Sequence, residues 1–227
     1  MKKIVIALVV LLVLGAAAYG GFVWYENRNE QKANSLSDTS AKRAAAAKLA
    51  GSPDGVWQVS SGSRAGYRVE DEILRGATIT ATGYTTQVTG SMTLADEGTT
   101  ISDAKFSVDI ASITSEGFAN RDQAFQRVLD ASQFPTARFT MAGPVKLASF
   151  PAEGVETKVS LSGTLELKGK QVAVIFSGTA VRGGNRIDVT ALIPITYTDF
   201  GIENPSNGFA KIGDTGNIDV SLGLVKG

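Results

Sequence analysis

Neither cysteine nor histidine occurs anywhere in the 227 residues of this chain. The first absence excludes disulfides, thiolate metal sites, a cysteine nucleophile and a lipid anchor carried on cysteine. The second removes the commonest general base and the commonest transition-metal ligand, so a Ser-His-Asp hydrolase and a zinc enzyme are both excluded. Charge of one sign is missing as well: 22 Lys and Arg balance 22 Asp and Glu. With no net charge to draw the chain toward polyanions, nucleic acid is not an expected partner. The glycine clusters Gly183-Gly184 and Gly213-Asp214-Thr215-Gly216 lack the G-x-G-x-x-G spacing between a strand and a helix, which argues against a nucleotide site. The acidic run Glu70-Asp71-Glu72 reads as solvated surface, since nothing in the spacing brings further oxygens near. Neither a metal site nor a resident cofactor is expected.

What the chain does have, from Val56 onward, is an apolar residue at nearly every second position. Ala65, Tyr67 and Val69 form one such set. Others are Tyr84, Val88, Gly90, Met92 and Leu94, then Ala104, Phe106, Val108 and Ile110, then Phe139 and Met141 with Val145 and Leu147. Val155 to Leu167, Val172 to Ala180, Ile187 to Tyr197 and Ile218 to Leu224 continue the pattern. Alternation of period two marks a strand with one wet and one dry face, because successive side chains leave it in opposite directions. Short turns at Asp96-Glu97-Gly98, Lys168-Gly169-Lys170-Gln171 and Arg182-Gly183-Gly184-Asn185 imply antiparallel hairpins. The expectation is an all-β domain of about eight strands, an up-and-down barrel or an open meander.

One segment departs from that period. Between Ser115 and Leu129, Phe118, Phe125, Val128 and Leu129 recur at helical intervals. A short helix is expected there, bounded by Asp130 and by Phe134-Pro135. Its plainest role is to plug an open end of the barrel.

The front of the chain reads differently. Lys2 and Lys3 precede an uncharged run over residues 4–25 that closes with Trp24 and Tyr25. About twenty apolar residues are enough to cross a bilayer as a helix, and aromatic rings favour the headgroup level. The preferred reading is a single transmembrane helix with the N-terminus cytoplasmic and the remainder outside the cell membrane. The rival is a signal peptide cleaved near Ala16-Ala17-Ala18, which exports the domain without tethering it. Residues 26–54 read as a polar, Ala-rich linker ending in the Pro53-Asp54-Gly55 turn, and residues 55–227 as the folded domain.

Several pieces in order carry a resemblance. Ser112-Ile113-Thr114, Asn120-Arg121-Asp122 and Phe134-Pro135-Thr136-Ala137-Arg138-Phe139 are followed by Leu161-Ser162-Gly163-Thr164-Leu165-Glu166-Leu167-Lys168-Gly169 and Asp199-Phe200-Gly201. Together with Trp57 in the opening strand, this order resembles the YceI-like family from Val56 to Val225. Lys168 stands where that family often has histidine, and Tyr197 where it often has arginine. The resemblance implies an eight-stranded antiparallel lipocalin-like barrel with one inserted helix, holding a long-chain lipid such as a polyisoprenoid or an isoprenoid quinone along its axis. It leaves monomer and homodimer both open.

Alternation alone fits a filled core as well as a cavity; the resemblance favours the cavity. Its expected apolar lining is Tyr67, Val69, Val88, Met92, Phe106, Val108, Ile110, Phe118, Phe125, Phe139, Met141, Leu165, Val174, Phe176, Val189 and Ile193. Small residues, among them Ala65, Gly90, Ala104, Gly163 and Gly178, are expected to leave room beside Phe106, Phe139 and Phe176. Each buried isoprene unit would contribute roughly 3 to 4 kcal/mol before ordering costs. Arg121 and Asp122 are read in two ways: as a charge pair strapping the helix, or as contacts to a polar headgroup at the barrel mouth. Trp57 reads as core packing and Asp199 as a turn residue. An interaction module with a filled core is the alternative function. A carboxylate enzyme using Asp109, Asp122 or Asp199 is not expected, because no pair of them has a spacing that demands it.

Overall fold

The alternating residues form one sheet of twelve strands that rolls up and closes on itself. In chain order these are β1 (Gly55–Val59), β2 (Arg64–Ile73), β3 (Ala77–Thr85), β4 (Val88–Ala95), β5 (Thr100–Asp109) and β6 (Thr136–Met141). There follow β7 (Val145–Lys146), β8 (Glu156–Leu167), β9 (Lys170–Gly183), β10 (Arg186–Thr196), β11 (Ala210–Ile212) and β12 (Thr215–Lys226). One helix, α1 (Ala119–Val128), lies between β5 and β6. The computed structural model describes residues 49–73, 77–115, 119–204, 206 and 210–227. The run read as a membrane anchor, nearly all of the linker, and Phe118 lie outside the described residues. Among the described residues no helix is long and apolar enough to cross a membrane.

The twelve strands make an eight-walled antiparallel barrel, because β1 with β2, and β3 with β4, each act as one bent strand. β1 pairs with β4 and β2 with β3, while both β1 and β2 pair with β12. The ring then runs β4, β5, β6, β8, β9, β10, β12 and back to β1. β7 adds to β5 and β11 to β2. Closure leaves no free sheet edge at the β1/β12 join, where an open meander would have two. The barrel, and not the meander, is therefore the outcome.

Each bend has a local cause. At residues 60–63 the chain is tied to β12: Ser60 N donates to Gly223 O at 2.8 Å, and Gly223 N donates to Ser63 Oγ at 3.0 Å. At residues 86–87 the break shifts the alternation by one residue, with Gln87 N donating to Thr85 Oγ1 at 2.9 Å. Ile79 and Ala81 are buried before the break, and Val88, Met92 and Leu94 after it. Tyr84 consequently stands on the outer surface, with the Arg64 guanidinium 4.9 Å from its ring centroid, and not on the face of Val88 where the sequence pattern placed it. Helix α1 ends where Asp130 takes a left-handed conformation, φ 49°.

Candidate functional site

Inward side chains from the eight walls converge on the barrel axis and form two large packing clusters and a small one of Ala65, Val88 and Leu222. One large cluster gathers Trp57, Met92, Leu94, Ile101 and Leu224; the other, beneath α1, gathers Ile110, Leu129, Leu165, Leu167 and Phe200. None of them fills the axis. A cavity of about 180 Å³ lies at the helix end, and one of about 100 Å³ lies toward Trp57. They share Ala65, Val108, Ala137 and Ile218, which form a common waist between the two voids. Alanine at two of those four places keeps the side chains at this waist small.

Most of the expected lining residues face these voids. Tyr67, Val69, Ile110 and Phe125 line the larger, and Val88, Met92, Phe106, Phe139, Leu165, Phe176, Val189 and Ile193 the smaller, with Val108 on both. Met141 and Val174 belong to the packed clusters and do not reach either void. The small residues behave in two ways. Ala65 and Ala104 do open space, but the room at two glycines is taken by rings. A Cβ on Gly90 would meet the Phe106 ring at 2.8 Å, and one on Gly163 would meet the Phe139 ring at 2.5 Å. Gly90 and Phe106 are cross-strand partners, so the ring folds over the strand that has no side chain there. These phenylalanines narrow the axis where the sequence led us to expect free volume.

The helix end is held by a few polar contacts around an aromatic stack. Tyr67 and Phe125 stack with centroids 4.5 Å apart, and the Tyr67 hydroxyl lies 2.9 Å from Ser115 Oγ. Asp122 Oδ1 accepts from Ser115 N at 2.7 Å, which ties α1 to the loop before it. At the other end of α1, Lys168 Nζ donates to Val128 O at 2.9 Å and to Gly201 O at 3.1 Å, and lies 3.2 Å from Asp130. Lys168 therefore joins the helix, the β8–β9 turn and the segment after β10. The two residues read together from the sequence separate here: Arg121 is on the wall of the larger cavity, while the Asp122 carboxylate is engaged by the backbone. Asp109 is likewise spent on capping, accepting from Ala111 N at 3.0 Å, and Asp199 sits exposed in the turn Tyr197–Phe200. Trp57 is fully buried, its Nε1 donating to Pro53 O at 2.9 Å.

Three apolar residues of the larger cavity were not expected in its lining. Ile113 and Ile202 come from loops and Ile212 from a three-residue strand, so none belongs to a run long enough to show a period. Ala124, Val128 and Leu129 of the helix region also line it, and Ala124 is solvent-exposed, so this void reaches the surface beside α1.

The model of the YceI-like domain family matches residues 57–224. Among solved structures, a polyisoprenoid binding domain from Saccharophagus degradans superposes with a TM-score of 0.61 at 19% identity, covering 77% of this chain and 99% of that one. BcnA from Burkholderia cenocepacia superposes with a TM-score of 0.54 at 17% identity, covering 70% of this chain and 95% of that one. At such identities the likeness is one of fold. No curated protein matches the chain.

Proposed function

Since the chain belongs to the YceI-like domain family, we propose that its barrel binds one long apolar chain of isoprenoid type, sequestering or carrying it outside the cytoplasm. The observation that carries this reading is the pair of apolar voids that adjoin at Ala65, Val108, Ala137 and Ile218. An apolar cavity of about 150 Å³ stays dry and accepts a benzene-sized guest. Voids of about 180 and 100 Å³ end to end suit a narrow, unbranching path of a few isoprene units, and not a compact ligand. The polyisoprenoid binding domain that shares the fold supports the same ligand class. Arg121 is the one cation among the described residues lining the larger cavity, and on this reading it meets the polar or phosphorylated headgroup. Asp109 and Asp122 serve the backbone as caps, accepting from Ala111 N and Ser115 N, and the larger void is lined almost wholly by apolar side chains, which suits binding. The apolar run at residues 4–25 holds the domain at the outer side of the cell membrane, beside its supply of lipid.

The test is native mass spectrometry of the full chain recovered in mild detergent. A bound mass matching a long-chain lipid is expected, and its displacement by Ala137→Leu, which fills the waist at a cost of about 1 to 3 kcal/mol, places that lipid on the axis. A chain that stays empty when offered isoprenoid lipids sinks the proposal.

A further inference from the structure

The barrel wall has one place where the ladder stops although the strands go on. β8 and β9 pair from Glu156↔Val181 to Leu167↔Lys170, and β10 and β12 from Arg186↔Val225 to Thr196↔Thr215. Between β9 and β10 pairing runs only from Arg186↔Gly183 to Ala191↔Gly178. Continued in that register, residues 173–177 of β9 and 192–196 of β10 lie opposite each other across a slit with no rung between them, while residues 170–172 come opposite the turn Tyr197–Phe200, which packs on β9. Continued in register, the ladder would set Leu192 opposite Ser177 and Pro194 opposite Ile175. Pro194 has no N–H to contribute to such a rung.

The slit has apolar surface on both sides. Outside it stand Ile175, 78% exposed, and Leu192, 48% exposed, two of the four large apolar side chains that the described residues leave in solvent. Inside it, Phe176 and Ile193 line the smaller cavity and Ile195 the larger. Phe176 and Ile195 are half-buried, as are other void-lining residues such as Phe106, Val108 and Val189.

We propose that the slit between β9 and β10 is a lateral portal through which an apolar chain passes between a lipid bilayer and the barrel, with Ile175 and Leu192 resting on the bilayer surface. This rests on the binding reading above and adds to it a route and a docking surface. A tail crossing an intact ladder must break several backbone hydrogen bonds together; here there are none to break. Two outward apolar side chains can dip to the headgroup boundary while the unpaired backbone groups behind them stay hydrated. A protein strand is the other occupant an open edge can take. Pro194 interrupts the donor row on β10, and both voids continue directly behind the slit, so the observations favour a lipid chain.

The experiment uses the full chain and phosphatidylcholine vesicles carrying an isoprenoid quinone, with protein-bound quinone read by native mass spectrometry after timed mixing. Ile175→Glu/Leu192→Glu alters only outward positions; it is expected to slow loading about tenfold and leave the final occupancy unchanged. Ser177→Cys/Leu192→Cys introduces the only thiols in the chain and, oxidised, supplies the next rung. Loading is then expected to slow by about tenfold or more and to recover on reduction. Equal loading rates in the wild type and both variants overturn the portal while leaving the binding reading intact. A wild type that never loads overturns the binding reading, and the portal with it. Unchanged loading together with capture of an extended peptide by the wild type, but not by the oxidised pair, assigns the slit to strand addition instead.

Discussion

The two ends of this barrel are closed by different means. At one, Trp57 is fully buried among Met92, Leu94, Ile101 and Leu224 of the wall strands, with Leu49, Leu147 and Phe150 from flanking segments packed against them. At the other, a separate helix lies across the opening and is held by Asp122, Lys168 and the Tyr67–Phe125 stack. The larger cavity is at the second end. An end packed directly onto its wall strands opens only by disturbing the barrel, whereas an end covered by a tethered helix can yield while every ladder stays intact. On the proposed function, ligand access belongs to the helix end and the slit beside it, and stability to the Trp57 end.

Changing the waist should have the largest effect, because it belongs to both halves. Val108→Arg puts a guanidinium where the two voids adjoin; loss of lipid uptake and a destabilisation of about 3 kcal/mol or more are expected, read by native mass spectrometry and urea unfolding. A folded variant that loads like the wild type would show that the voids are not the binding path. Next, Trp57→Ala should cost about 3 to 5 kcal/mol in urea unfolding and leave the occupancy of the folded fraction unchanged. Reduced occupancy there would erase the division between a stability end and a binding end.

Phe125→Ala removes a half-buried ring and its stack on Tyr67. A cost of about 1 to 2 kcal/mol is expected, together with faster exchange of bound lipid, measured by chase with unlabelled quinone. The smallest effect should come from Lys168→Met. Loss of its contacts to Val128 O and Gly201 O should cost about 1 kcal/mol and raise amide hydrogen exchange in α1, with the strands around Trp57 unaffected. Equal exchange at both ends would mean that Lys168 is not what fastens the helix.

Much of the wall was legible because strand direction is local. The runs through Phe106, Val108 and Ile110, or Ile187 to Ile195, announce their inner face by alternation alone, and the turns at residues 96–98 and 168–169 carry positive φ at Asp96, Gly98 and Gly169, as those residue types allow. Tyr84 went to the other face because a two-residue break restarted the alternation, and nothing in Thr86-Gln87 advertises it. Ile202 and Ile212 were invisible for the opposite reason: they reach the cavity by the path of a loop, not by a repeat. Asp122 looked like half of a headgroup pair beside Arg121, yet adjacent helical residues diverge by about 100° around the axis, and only Arg121 reaches the void.

By itself, then, the amino-acid order determined that the domain is built of antiparallel strands with one dry face, interrupted by one helix, and without the groups for thiol, imidazole or zinc chemistry. It could do so because the side a residue faces depends on its neighbours in the chain. The tertiary structure alone decided that the dry faces leave two adjoining voids, that phenylalanine rings occupy the room at Gly90 and Gly163, and that the ladder lapses between β9 and β10. Those outcomes depend on the volumes of side chains brought from distant strands to the same axis, and on whether a closed ring can keep every neighbour in hydrogen-bonding range around its whole circumference.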